Sequence, residues 1–224
     1  MISNCGKNEY GKYVGGQAGD QTGKEYAVIP WYNRPFNVVL RYPNKDVARD
    51  MAYLAREAAL NDHNGYDQRY RLGFYDKLKN VIDWNPANIT EDNGSDCSSS
   101  TSAIIIAAGH RNNVRKLRDL SPALTTKNMK KALVAAGFTA LVDGIYTSSD
   151  DFLLPGDVLL CTNHHVAINI DKGNGNGDKR LTEIAELVRQ GRYGIGAERR
   201  ARLTEEYPEY GYTLIQAEVN RIMF

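Results

Sequence analysis

Residues 94–109 read GSDCSSSTSAIIIAAG, and this stretch decides the fold of the chain. Small polar residues that cap helices come first, and the apolar residues from Ile104 onward can bury the following turns. The stretch therefore predicts a buried helix that begins at Cys97. A helix N-terminus offers unpaired N–H groups and a positive dipole end, which should lower the pKa of the thiol from about 8.5 and make it nucleophilic. A lone cysteine could equally be a small buried hydrophobic residue.

A nucleophilic cysteine also needs a histidine that acts as general base and then as general acid. The adjacent pair His164 and His165 opens a predicted strand just after the run GDVLLCT. Neighbours on a strand point to opposite faces, so we expect only one of the two to face the cysteine; His165 shares its face with Ala167 and Asn169. The other face of this strand is apolar and consists of Val166, Ile168 and Ile170. A histidine at a strand start could instead be a solvated turn residue.

The segments around this stretch predict an α+β fold with a small antiparallel sheet. The N-terminal third is rich in Gly, Tyr and Asn and is typical of long loops with one strand near residues 36–41. Helical periodicity covers residues 46–60 and, beyond the Cys97 helix, the run TTKNMKKALVAAG. Four short β-rich runs then predict the sheet: FTALVD, GIYTSS, GDVLLCT and HHVAINI.

The C-terminal part of the sequence has a different composition. The run DKGNGNGDKR at 171–180 has no apolar side chain, which is typical of a linker. The residues that follow are again helical in pattern, with breaks that separate three short helices. We therefore expect a catalytic domain at 1–171, a linker at 172–180 and a three-helix bundle at 181–224.

Composition argues against several functions. With 28 basic and 27 acidic side chains the net charge is +1, so we expect no nucleic-acid partner. No apolar run reaches the roughly 18 residues of a membrane span, and the first residues lack the pattern of a secretory signal. The three separated cysteines indicate reduced thiols rather than a disulfide framework or structural zinc. We expect synthesis in the cytoplasm, no metal and no cofactor.

Together, DCSSSTSAIIIAAG and LLPGDVLLCTNHHVAINI resemble the NlpC-type and CHAP-type peptidoglycan peptidases, above all the phage endolysins among them. The resemblance covers residues 8–171 and implies a papain-like cysteine peptidase domain. It implies that Cys97 is the nucleophile and that His165 is the base. It further implies a third polar residue that orients the imidazole, supplied by a strand after the histidine strand.

The identity of this orienting residue stays open in the sequence, because the histidine strand runs directly into the linker. Asn169 shares a face with His165, but four residues along a strand span roughly 13 Å, which is too far for direct contact. Asp143 on an earlier predicted strand, or a backbone carbonyl, is the alternative.

Other polar residues near the cysteine are candidates for substrate contacts. Asp96 could hold an amino group of the substrate or simply cap the helix, and Ser98 follows the thiol directly. The turn GYDQ could replace the aromatic turn that lines the site in relatives, which would place Tyr66 and Asp67 near the thiol. Asp67 could equally be an ordinary turn residue.

The run LTEIAELVRQGRYGIGAERRARL, followed by YGYTLIQAEVN, resembles the small three-helix cell-wall-binding repeat of pneumococcal phage lysozymes. The resemblance implies that Tyr193, Gly194 and Arg199 contact the wall, with the ring on a sugar face and the guanidinium on a carboxylate. Alternatively, Tyr193 and Arg199 only hold the bundle together. A bundle this small could also lean on the catalytic domain or on a second copy in a homo-oligomer.

Both resemblances imply a lytic enzyme whose partner is peptidoglycan and which cuts an amide bond of the stem peptide. We expect the D-γ-glutamyl–diamino acid bond, because relatives that combine this catalytic type with this repeat are endopeptidases. An N-acetylmuramoyl-L-alanine amidase and a non-catalytic wall-binding protein are the alternatives. Without a secretory signal, we expect release by a holin or by lysis.

Overall fold

The computed structural model describes residues 1–224 and has an α+β fold, as the sequence predicts. The eight strands are β1 (Ile2–Cys5), β2 (Tyr26–Ile29), β3 (Val38–Arg41), β4 (Asn64–Tyr66), β5 (Asn93–Ser95), β6 (Thr139–Leu141), β7 (Val158–Cys161) and β8 (His165–Asn169). The nine helices are α1 (Lys45–Leu60), α2 (Gly73–Leu78), α3 (Cys97–Arg111), α4 (Arg115–Arg118), α5 (Met129–Ala136), α6 (Gly144–Thr147), α7 (Lys179–Arg189), α8 (Gly196–Glu206) and α9 (Gly211–Met223).

Six strands form one antiparallel sheet in the order β2-β1-β8-β7-β3-β6, while β4 and β5 pair separately and in parallel. The histidine strand β8 therefore lies between β7, whose Cys161 is opposite His165, and the N-terminal strand β1, whose Ser3 is opposite Ile168. The N-terminal third thus contains β1 and β2 besides the predicted β3. Both are only four residues long, and their pairing depends on distant partners rather than on local periodicity.

The prediction of a strand at GIYTSS is wrong, because this run forms the short helix α6. The Asp143 side chain caps this helix and accepts a hydrogen bond from the Ile145 amide at 3.0 Å. The Asp143 carboxylate thus pairs with a helix amide that has no partner within the helix. This bond favours the start of a helix over the strand that the following residues prefer.

Helix α3 crosses the centre of the domain, and its residues from Ser98 to Gly109 are all buried. The buried hydroxyls are satisfied within the helix: Thr101 donates to the Cys97 carbonyl at 2.8 Å, and Ser102 donates to the Ser98 carbonyl at 2.7 Å. The polar run SSSTS can therefore lie in the core without unpaired hydroxyl groups. This arrangement fixes the N-terminus of the helix, and with it Cys97, against the sheet.

Both faces of the sheet are covered. The predicted apolar face of β8 packs with α1 and α3 in the larger core cluster, which contains Val166, Ile168 and Ile170. The opposite face is buried as well, because Ala167 of β8 belongs to a second apolar cluster. This second cluster continues from the sheet into the C-terminal helices, where it includes Leu181 and Ile215. The C-terminal helices therefore share a core with the sheet.

In the C-terminal segment, α9 packs against both α7 and α8. Helix α7 is capped by Asp178 and begins inside the segment predicted as a linker. The end of α9 contacts α1: Lys45 donates to the Met223 carbonyl at 2.6 Å, and the Arg49 guanidinium lies 5.0 Å from the centre of the Phe224 ring. None of the nine helices is long and apolar enough to cross a membrane.

Candidate active site

The largest cleft of the protein, with a volume of about 640 Å³, lies where the N-terminus of α3 meets the start of β8. The structure brings Cys97 and His165 together here, since both side chains line this cleft. Cys97 is partly exposed, whereas His165 is buried. The other lining residues come from loops and helix ends: Gly6, Tyr13, Arg34, Tyr66, Gln68, Arg71, Asp96, Ser98, Thr125, Thr126, Asn163 and His164.

The imidazole of His165 is held by Asn4 of strand β1, through a 2.7 Å contact between Nε2 and the Asn4 amide oxygen. An amide oxygen only accepts, so Nε2 must carry the proton and Nδ1 is left free to act as a base. Neither residue considered from the sequence contacts the imidazole. Asn169 donates to the carbonyls of Leu154 and Asp171, and Asp143 caps α6. The prediction that Asn169 or Asp143 orients the imidazole is therefore wrong.

Asp96 is the N-cap of α3 and accepts hydrogen bonds from the amides of Ser98 and Ser99 at 2.9 and 2.7 Å. Arg71 forms an ion pair with Asp96 at 2.6 Å and also donates to the Ser98 hydroxyl at 2.8 Å. Burial opposes ionisation of Asp96, but the Arg71 and Ser99 hydrogen bonds outweigh it and keep its pKa below the ordinary value. Both carboxylate oxygens are occupied by the chain, which fits helix capping better than capture of an amino group.

Of the two GYDQ residues predicted to lie near the thiol, Tyr66 lines the cleft and Asp67 does not. Tyr66 is buried in the wall of the cleft, where its hydroxyl donates to the Tyr13 carbonyl at 2.8 Å. Asp67 does not line the cleft and instead accepts from the amides of Arg69 and Tyr70, as an ordinary turn residue does. A loop packs against this turn at Gly16, whose φ is +110° and where a Cβ would lie 1.9 Å from the Tyr66 carbonyl oxygen.

The prediction of a lowered thiol pKa is wrong for the protein without substrate. Burial, and then the neighbouring Asp96 carboxylate, raise the pKa of Cys97 to about 12, although the amides of Val166 and Ser98 act in the opposite direction. Burial, and then the charge of Arg34, lower the pKa of His165 to about 4. At neutral pH the resting pair is therefore a thiol and a neutral imidazole.

Several hydrogen-bond donors in the cleft have no acceptor within the chain. They include the backbone amide of Cys97, which begins α3, and the side chains of Gln68, Thr126 and Asn163. Sequence patterns single out the first, since a helix N-terminus leaves its amides free. Gln68, Arg34, Arg71 and Asn4 carry no local signal, because their roles depend on how distant loops and strands meet.

The C-terminal residues predicted to bind the wall form hydrogen bonds within the protein. Tyr193 is buried, and its hydroxyl donates to Glu206 at 2.9 Å. Arg199 donates to the Gly194 carbonyl at 2.9 Å, and Gly194 has a φ of +69° that favours glycine. These three residues hold the turn between α7 and α8. Next to Tyr193 a surface cavity of about 460 Å³ is lined by charged side chains: Arg192, Arg202, Glu205 and Glu206.

The fold thus brings a thiol and an imidazole together in one cleft, and the C-terminal helices share an apolar cluster with the sheet. Comparison with protein-family models matches residues 2–176 to the endolysin-like domain and residues 182–223 to the CW_7 repeat. The chain belongs to the endolysin-like domain family. No curated protein and no solved structure matches it. The two family matches together support a lysin that acts on the cell wall.

Proposed function

We propose that the protein is a phage-type lysin that hydrolyses an amide bond of the peptidoglycan stem peptide, with Cys97 as nucleophile, His165 as base and acid, and Asn4 as the orienting residue. The observation that carries this proposal is the Asn4–His165 hydrogen bond beside Cys97 in the main cleft. It leaves Nδ1 of the imidazole unprotonated, which is the state that a general base requires. The domain would then be papain-like, with its third residue supplied by the N-terminal strand.

The raised thiol pKa and the lowered imidazole pKa favour attack from a neutral pair. As the sulfur of Cys97 bonds to the substrate carbonyl carbon, its proton passes to Nδ1 of His165. The imidazolium then gives this proton to the leaving amine as the C–N bond breaks, and a thioester remains. Water attacks the thioester, passes a proton to His165, and the release of the carboxylic acid regenerates the thiol.

The oxyanion of each tetrahedral intermediate needs donors that are already in place. The unpaired amides of Cys97 and Gln68 are suited to this role, because neither has an acceptor inside the protein. Arg71 cannot serve in this way, since it is engaged with Asp96, Ser98 and the Leu124 carbonyl. Its role is to fix the N-terminus of α3 and thereby the position of the thiol.

The scissile bond follows from the resemblance rather than from the cleft. We infer D-γ-glutamyl–diamino acid endopeptidase activity, with N-acetylmuramoyl-L-alanine amidase activity as the alternative, since the same residues can hydrolyse either amide. We further propose that residues 1–171 form the catalytic domain and that the wall-binding helices, predicted at 181–224, begin with α7 at Lys179, which shortens the connection predicted at 172–180. Binding to the wall would raise the local substrate concentration without changing the chemistry.

We propose that the wall ligand binds beside the turn residues rather than on them. Tyr193, Gly194 and Arg199 shape the turn between α7 and α8, and the cavity beside Tyr193 offers the more accessible groups. We assign ligand contact to Arg192, which forms no ion pair and can pair with a carboxylate of the stem peptide, whereas Arg202 is paired with Glu198. An Arg192→Gln variant should bind sacculi more weakly in a pull-down, while hydrolysis of a small soluble muropeptide should be unchanged.

Digestion of purified sacculi, followed by mass spectrometry of the products, tests the catalytic proposal. Wild-type protein should expose new amino groups on the diamino acid, and Cys97→Ala should expose none. Cys161→Ala is the matched control, because Cys161 is buried in β7 and does not line the cleft. New L-alanine amino termini would identify an amidase. Retention on sacculi without any product would identify a non-catalytic wall-binding protein.

A further inference from the structure

A second cavity, of about 270 Å³, adjoins the main cleft on the far side of His165. The two share Gly6, Tyr13, Arg34 and His165, but Cys97 lines only the main cleft. We refer to this second cavity as the basic cavity. Six of its side chains matter for its chemistry: Lys7, Lys24, Arg34, Tyr13, Tyr32 and Ile29.

The basic cavity has three cationic side chains and no acidic one. Lys7, Lys24 and Arg34 form no ion pair with any carboxylate of the chain; the Lys7 ammonium lies 5.4 Å from the centre of the Tyr13 ring instead. Arg71 of the main cleft, by contrast, is paired with Asp96. Uncompensated positive charge in a concave site attracts an anionic group.

The position of the basic cavity relative to His165 decides which part of a substrate it meets. In the proposed mechanism the imidazole gives its proton to the leaving amine, so the leaving segment must lie on the histidine side of the scissile bond. The acyl segment remains attached to Cys97 on the other side. Asn4, which holds Nε2, also lines the basic cavity, so this cavity lies at the Nε2 edge of the ring. Arg34 lines both cavities and connects this edge with the main cleft, where Nδ1 protonates the leaving amine.

We propose that the basic cavity binds a carboxylate carried by the leaving segment of the stem peptide, with Arg34 as the principal partner. Arg34 is the cation that lines both cavities, and its fork of donors suits a carboxylate. Tyr13, Tyr32 and Ile29 offer rings and an apolar side chain for the aliphatic part of the same residue. This inference rests on the proposed function, because that function assigns the leaving segment to the side of His165.

Binding to the full-length Cys97→Ala protein tests the inference separately from catalysis. The probes are L-alanyl-γ-D-glutamyl-L-lysine with a free C-terminal carboxylate and the same peptide as its C-terminal amide. The acid should bind about tenfold more tightly than the amide, the discrimination typical of one charge-assisted contact. Adding Arg34→Gln should abolish the difference, while Arg34→Lys should retain most of it. Lys116→Gln, at an exposed lysine outside both cavities, should have no effect.

Equal affinities of acid and amide for the Cys97→Ala protein would overturn the inference. Displacement of the acid peptide by an equal concentration of inorganic phosphate would also overturn it, since this would identify an unspecific anion site. Hydrolysis of the same two peptides by the protein with Cys97 intact is measured in a separate assay. Arg34-dependent preference for the acid, without hydrolysis of either peptide, would support the carboxylate site and contradict the proposed catalytic function.

Discussion

The amide oxygen of Asn4 accepts a 2.7 Å hydrogen bond from Nε2 of His165, a residue 161 positions further along the chain. This contact exists because β1 pairs with β8 in the sheet. It selects the imidazole tautomer whose Nδ1 is a base, and it fixes the plane of the ring. The N-terminal strand therefore supplies what the sequence after the histidine strand lacks.

Removal of the Asn4 amide should lower turnover without unfolding the protein. We expect Asn4→Ala to reduce kcat by about 10- to 100-fold with little change in KM, because the imidazole loses its orientation rather than its chemistry. The acid limb of the pH–rate profile should also shift, which a merely structural role would not produce. Asn80→Ala, at an exposed asparagine, is the control. Unchanged kcat in Asn4→Ala would contradict the assignment.

The pH dependence of activity should reflect the lowered pKa of His165. Since the neutral imidazole is the base, kcat/KM should fall on the acid side with an apparent pKa of about 4 rather than 6.5. Steady-state rates on a soluble muropeptide between pH 3.5 and 8 measure this directly. An acid limb centred near 6.5 would show that His165 is not shielded as described.

Stability should depend on pH through the same group. The unfolded chain binds a proton on His165 below about 6.5 and the folded protein only below about 4, so the unfolded state holds more protons in between. The free energy of unfolding should therefore decrease as the pH falls through this window, by about 3 kcal/mol at most. Denaturant titrations of wild type and His165→Gln test this. Asn80→Ala, at an exposed residue that does not titrate, should retain the wild-type acid dependence.

The thiol of Cys97 should alkylate slowly in the resting protein. Its pKa is raised to about 12 by burial and Asp96, so the thiolate fraction at pH 7 is far smaller than in free cysteine. Peptide mapping after iodoacetamide treatment should show a rate at Cys97 below that of glutathione at pH 7, rising up to pH 10. Faster alkylation than glutathione at pH 6 would instead indicate a preformed thiolate–imidazolium pair.

Removal of the Gln68 side-chain amide should destabilise the transition state, because the oxyanion loses a hydrogen-bond donor. We expect Gln68→Ala to reduce kcat by about 100-fold, the usual effect of removing one oxyanion donor. The substrate KM should change little, because the donor is aimed at charge that develops during the reaction. Gln17→Ala is the matched control, since the Gln17 amide bonds to Glu9 outside the cleft. Equal kcat values for the two variants would exclude Gln68 from the oxyanion site.

Arg71 should matter for stability. Arg71→Ala leaves the Asp96 carboxylate buried without its cation, which should cost about 3 kcal/mol and lower the Tm. Arg115→Ala breaks the exposed pair with Asp119 and should have almost no effect. Thermal unfolding of both variants measures the difference. A small shift for Arg71→Ala would mean that Asp96 is solvated or protonated.

The sequence predicts those parts of the site that local patterns encode. A capped helix at Cys97 and an apolar-sided strand at His165 are written in neighbouring residues, and both are present. Asn4 could not be found in this way, because β1 is four residues long and reaches His165 only through sheet pairing. Arg34 and Arg71 lie in loops whose positions depend on the folded chain.

The sign of the thiol pKa shift could not be derived from the sequence for a related reason. The helix N-terminus at Cys97 predicts a lower pKa, and the nearby amides do act in that direction. Burial depends on how tightly the cleft closes around the thiol, and no local pattern encodes it. Likewise Tyr193 is buried by contacts with Glu206 and Tyr207, which its glycine-rich turn does not reveal.

Covalent catalysis by Cys97 requires a thioester intermediate, and this intermediate can be captured. Full-length protein is mixed with a soluble muropeptide, quenched in acid within milliseconds and weighed intact, and the modified residue is located by peptide mapping. The mass of the protein should increase by the acyl part of the substrate, and the modification should lie on Cys97 alone. Product formation by Cys97→Ala, with no adduct on the wild-type protein, would contradict covalent catalysis by Cys97.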